Sequence, residues 1–144
     1  MLSAPQVIEE VNSRFIPVRV NLSTDGYPSN IPALKRFPHD YLWYECNLKA
    51  LAAVDVFSPG GAHLLGTTGN TVLDGKTTAE FSFGDGPGSL LAFLDKCQAR
   101  QQAVTAVLED EGKDAKAKAK ELAELERENL RPILDRRNGR AAVR

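Results

Sequence analysis

The chain has little cysteine: its 144 residues include only two, Cys46 and Cys97, which lie far apart. This spacing matches neither a Cys-x-x-Cys redox pair nor a pair of zinc ligands, and two cysteines are too few for a disulfide framework. Spacing alone leaves open whether the two pair with each other. The expectation is a reduced, cytoplasmic protein in which Cys97, on the apolar face of a helix, is a core residue.

Long hydrophobic runs and an excess of one charge are also lacking. No stretch approaches the roughly 18 consecutive apolar residues of a membrane span, and the N-terminal "MLSAPQVIEE" has no basic region followed by an apolar core. We therefore expect neither a membrane partner nor a signal peptide. The 18 basic residues against 19 acidic ones give a net charge of -1. That balance disfavours nucleic acid as a partner, although the last nine residues are basic.

Motifs for metals, phosphates and cofactors are missing as well. His39 and His63 have no Cys, His or carboxylate at metal-ligand spacing, so solvent-facing histidines are the favoured interpretation and no metal is expected. The Gly-rich "FGDGPGS" matches neither of the common phosphate-binding patterns and is better interpreted as a turn entering a helix. We expect no cofactor.

The N-terminal part of the chain contains two clear patterns. Ser3 and Gln6 are spaced as a capping box, and apolar residues recur at helical spacing, so a helix is predicted over residues 4–14. The following "IPVRVNL" alternates apolar and polar residues and is rich in β-branched ones, which predicts a strand over residues 16–22 with Pro17 at its start.

The middle of the chain is rich in turn residues around one hairpin. A short helix is predicted from Pro32, whereas "DYLWYECNLKALAA" fits a helix or a strand equally well. Residues 53–57 and 62–65 have strand patterns on either side of "SPGG", a turn sequence, which together predict a β-hairpin. One further short strand is predicted over residues 80–83.

Two helices are predicted in the C-terminal part. Ser89 is the expected N-cap of the first helix. The residues predicted to lie largely on one face of this helix are Leu90, Leu91, Phe93, Leu94, Cys97, Gln101, Val104 and Leu108. Gly112 separates it from a second helix over residues 114–131, rich in Ala, Glu, Lys and Leu, which Pro132 should kink or end.

The order of these elements resembles the thioredoxin-like fold family. The segment "VIEEVNSRFIPVRVNL" is similar to the end of the family's redox helix and the strand after it, "VDVFSPGGAHLLG" to the central hairpin, and "GSLLAFLDKCQA" to the closing helix. The resemblance covers about residues 1–104. It implies an α/β fold, a thioredoxin-like mixed sheet flanked by helices, with an extra C-terminal helix. That sheet would include Val18, Val20, Val54, Val56 and Leu64.

The residues that carry thioredoxin chemistry are absent from the sequence. No Cys-x-x-Cys precedes the first strand, and Ala52 occupies the place of the family's cis-proline, where we expect a trans bond. The resemblance therefore implies a non-catalytic module. The alternative is a thiol-disulfide oxidoreductase, either with its dithiol upstream of Met1 or working through Cys46 alone. Beside Trp43 and Tyr44, however, Cys46 fits a core position better than a reactive one.

The predicted organisation is a thioredoxin-like domain over residues 1–110, incomplete at its N-terminus, and a charged helical extension over residues 111–144. The second helix has strong helix formers but only a narrow apolar stripe, and such a helix gains most of its stability by packing. We therefore predict that it binds a protein partner or a second copy. The residues assigned to this contact are Leu122, Leu125, Leu130 and Ile133.

Overall fold

A computed structural model describes residues 3–20, 30–36, 54–67 and 86–142, with side chains in the last range described as far as Asn129. The elements, in chain order, are α1 (Pro5–Arg14), α2 (Pro32–Arg36), β1 (Asp55–Phe57), a 3-10 turn (Pro59–Gly61), β2 (Leu64–Thr67), α3 (Pro87–Glu109) and α4 (Ala115–Ala142). The described part of the chain is thus a mixture of α-helices with a small antiparallel sheet of β1 and β2.

Helix α1 confirms the predicted N-terminal helix but not its predicted cap. Ala4 is the N-cap in an extended conformation and no side chain caps the helix, so the Ser3–Gln6 capping box is wrong. The reason is Pro5 at the first helical position: proline disfavours helical angles in the residue before it, so the helix begins at the proline. Val7 then anchors α1 in the core.

The predicted strand over residues 16–22 is wrong as far as the structure describes it. Residues 15–20 belong to no helix or strand. Val18 is 79 % exposed and Ile16 is 91 % exposed, instead of lying in the sheet core. Alternation of apolar residues predicts which side chains would share a face of a strand. A strand also needs hydrogen bonds to the backbone of a partner strand, and a local sequence pattern does not show whether a partner is present.

The predicted hairpin is confirmed, with slightly shifted ends. Asp55 pairs with Thr67 and Phe57 with Leu64, with an irregularity in the ladder next to Phe57. In the turn, the Ser58 amide donates to the His63 carbonyl at 2.9 Å. Gly60 and Gly61 both have positive φ, which explains why this turn is built from two glycines.

Helix α3 packs across the hairpin and supplies six of the ten buried residues in the core cluster of the described part of the chain. It begins at Pro87 with Gly86 as N-cap at φ 86°, so Ser89 is not the cap. Its buried residues are Leu90, Phe93, Leu94, Cys97, Val104 and Val107. These confirm most of the predicted face, but Leu108 is exposed.

Gly66 of β2 lies directly against α3. A Cβ at Gly66 would come within 2.6 Å of the Cys97 sulfur and 2.9 Å of the Phe93 ring. Any side chain larger than hydrogen would therefore require Cys97, Phe93 or the strand itself to shift, so the close packing of β2 on α3 depends on this glycine.

Helix α4 follows α3 after a five-residue connection, Asp110 to Asp114, and packs against α3 and β2. The Asp114 carboxylate accepts from the Ala117 amide at 2.7 Å and so caps the helix start. Leu122 belongs to the same core cluster as Val56 and Phe93. The helix continues through Ala142, so Pro132 does not end it, and the kink predicted as the alternative stays a prediction.

Candidate functional site at the hairpin and the C-terminal helix

The four residues that the sequence assigned to an interaction surface fall into two groups. Leu122 is buried, and Leu125 is partly buried against the same core. Leu130 and Ile133 lie farther along α4, where the structure describes the backbone alone. The first pair therefore holds α4 to its own chain. Contact with a partner through the second pair remains a prediction.

Two polar side chains of α4 bind the backbone of a single strand residue, Leu64. The Leu64 amide donates to Glu126 Oε2 at 2.9 Å. The Asn129 side-chain amide donates to the Leu64 carbonyl at 3.4 Å, a longer contact. We call Leu64, Glu126 and Asn129 the edge clamp.

The position of Leu64 in the hairpin explains why it needs this clamp. Because Ser58 donates to the carbonyl of His63, the backbone groups of His63 point towards β1 and those of the next residue point away from it. Leu64 would offer these groups to a third strand, and Glu126 and Asn129 occupy that place instead. A helix face thus completes the sheet edge at this residue.

The Glu126 carboxylate lies in an enclosed, polar environment. Glu126 is only 8 % exposed. His63 Nδ1 lies 4.0 Å from the same oxygen that accepts from Leu64. A buried carboxylate costs free energy unless hydrogen bonds or charges compensate it, and here a backbone amide and an imidazole are both within reach. His63 is largely buried beside a carboxylate, so its predicted solvent-facing position is wrong.

The neighbouring carbonyl of β2 is bound from the other helix. Arg100 Nη1 of α3 donates to the Leu65 carbonyl at 2.8 Å. Two helices therefore satisfy consecutive backbone groups of β2 with side chains. The contacts of Glu126 and Asn129 protect the strand edge at Leu64, which would otherwise be open to pairing with another chain, whereas Arg100 binds the residue that the irregular ladder leaves opposite no residue of β1.

Charged contacts in the connection fix where α4 begins. Lys113 forms ion pairs with Asp110 and Glu121. Hydrogen bonds from the Gly112 amide and the Lys113 ammonium hold the pKa of Asp110 below its usual 3.8. Hydrogen bonds to Glu121 and Asp110 raise the pKa of Lys113 above 10.5. These groups are exposed, so their main effect is to set the geometry of the connection.

Sequence reasoning missed the edge clamp, although one signal for it exists. Glu126 and Asn129 follow Leu122 by four and seven residues, which places them on the same face of a helix. A carboxylate and an amide within an apolar stripe indicate a buried polar contact. The partner, Leu64, is distant in sequence and offers only backbone groups, which no residue pattern reveals.

Of the remaining residues that the sequence singled out, one lies in the core and the others lie outside the described residues. Cys97 is fully buried, which confirms it as a core residue. Cys46, His39 and Ala52 lie outside the described residues, as does the strand predicted over residues 80–83. Among the residues that the structure describes, no three His, Cys, Asp or Glu side chains are grouped to hold a metal ion. None of the helices in the same ranges is long and apolar enough to cross a membrane.

Comparison with known proteins gives no relative: no protein-family model, no curated protein and no solved structure matches the chain.

Proposed function

We propose that the chain is a non-catalytic, thioredoxin-like module that acts through protein–protein contacts, with the C-terminal half of α4 as its contact element. The observation that carries the proposal is that the first half of this helix is bound to the domain, whereas the helix continues beyond those contacts. Leu122, Glu126 and Asn129 bind it to the domain. The same helix then continues over residues 130–142.

The composition of this second half suits recognition of an acidic and apolar surface. Residues 130–144 contain Leu130, Ile133 and Leu134, three large aliphatic residues at helical spacing. They also contain five arginines and one aspartate. An amphipathic helix of this kind typically lays its apolar residues in a groove of a partner, where its charges select a rim of opposite sign.

The thioredoxin-like part of the proposal rests on the hairpin and α3. Their order is the one that the sequence resemblance assigns to a central hairpin and a closing helix, and α3 packs across the hairpin through Phe93 and Cys97 at Gly66. Residues 16–20 pair with neither described strand and so depart from that arrangement. The given sequence contains no Cys-x-x-Cys pair. Full burial makes Cys97 unsuitable as a nucleophile, which leaves Cys46 as the redox candidate within these residues.

The test compares the full chain with a chain that ends at Asn129. The shortened chain keeps residues up to Asn129 because Leu122 and Glu126 are buried in the folded domain. A second variant, Leu130→Glu with Ile133→Glu, keeps the length of α4, and Glu124→Gln is a matched control on an exposed part of the helix.

We expect proteins that the tagged full chain captures from its native host to be lost with both the shortened chain and the double variant, and kept with the control. Direct titration of the purified partner then measures the affinity. Equal affinity for the full and shortened chains would contradict the proposal. So would reduction of insulin disulfides at the rate of a thioredoxin control, if Cys46→Ser abolished it.

A further inference from the structure

We draw no further inference here: the strongest candidate, the side-chain cluster of His63 and Glu126 between the hairpin and α4, belongs to the site already described, where it docks the helix on β2.

Discussion

Two short segments of this chain, β2 and residues 16–20, are both rich in aliphatic residues and have opposite surroundings. Leu64 and Leu65 of β2 are buried, and β1, α3 and α4 all contact the strand. Residues 16–20 have the cleaner alternation, yet Ile16 and Val18 are exposed.

The difference lies in the partners, since both segments have suitable composition. β2 begins after a tight turn that brings β1 alongside, and side chains of two helices bind the backbone groups of Leu64 and Leu65. Residues 16–20 follow α1 directly, and none of the strands that the structure describes pairs with them. A strand is therefore specified by what lies beside it as much as by its own residues.

The largest contrast is expected from truncating one aliphatic side chain in each segment. Leu65→Ala should lower the free energy of unfolding by about 2–5 kcal/mol, because it leaves a cavity between the hairpin and α3. Val18→Ala should change it by less than about 0.5 kcal/mol, since the side chain is exposed. Urea titrations at a concentration where the chain is monomeric measure both. Similar losses for the two variants would show that residues 16–20 belong to the core.

Adding one methyl group to β2 should also be costly. Gly66→Ala is expected to lower the free energy of unfolding towards the upper end of about 1–3 kcal/mol, because its Cβ would overlap Cys97 and Phe93. Gly88→Ala is the matched control, since no atom lies within 4 Å of a Cβ there. Adding Cys97→Ala to Gly66→Ala should recover part of the loss. A neutral Gly66→Ala would refute the close approach of β2 to α3.

Breaking the edge clamp should have a comparable or smaller effect. Glu126→Ala leaves the buried Leu64 amide without its acceptor, which costs about 1–3 kcal/mol. Glu126→Gln keeps an oxygen in place and should retain most of the stability, and Glu124→Ala serves as the exposed control. Chemical denaturation followed by circular dichroism compares the three. If Glu126→Ala behaved like Glu124→Ala, the clamp would contribute little to the docking of α4.

The smallest effect concerns the charged connection between α3 and α4. Asp110 has a folded pKa below 3.8, so its carboxylate stabilises the fold fully above that value and loses this contribution as the pH falls through the lowered pKa. Asp110→Asn should therefore melt slightly below the parent at pH 7, with the gap closing below about pH 3.8. Melting temperatures between pH 2 and pH 7 measure this gap. A gap that stays constant with pH would exclude a charge effect.

Local sequence signals predicted the elements well where they were self-contained. The spacing of apolar residues located α1 and most of α3, and "SPGG" located the hairpin turn. The caps were less predictable, because Ser3 and Ser89 both look like N-caps. In each case a nearby proline, Pro5 or Pro87, decides where the helix begins.

Contacts between distant residues were beyond the reach of such signals. Nothing local shows that Glu126 accepts from Leu64, or that His63 lies beside that carboxylate. The narrow stripe on α4 was correctly identified as needing a packing surface. Leu122 and Leu125, which the sequence assigned to a partner, pack within the chain itself. A partner contact through Leu130 and Ile133 stays a prediction.

The edge clamp also has a consequence for amide hydrogen exchange. The Leu64 amide is held by a side chain of α4 and not by a neighbouring strand. Its exchange with solvent deuterium therefore requires α4 to separate from β2, even when the hairpin stays closed. By contrast, the Ser58 amide is held within the hairpin turn. The ratio of the two exchange rates would report how often the C-terminal helix leaves the domain.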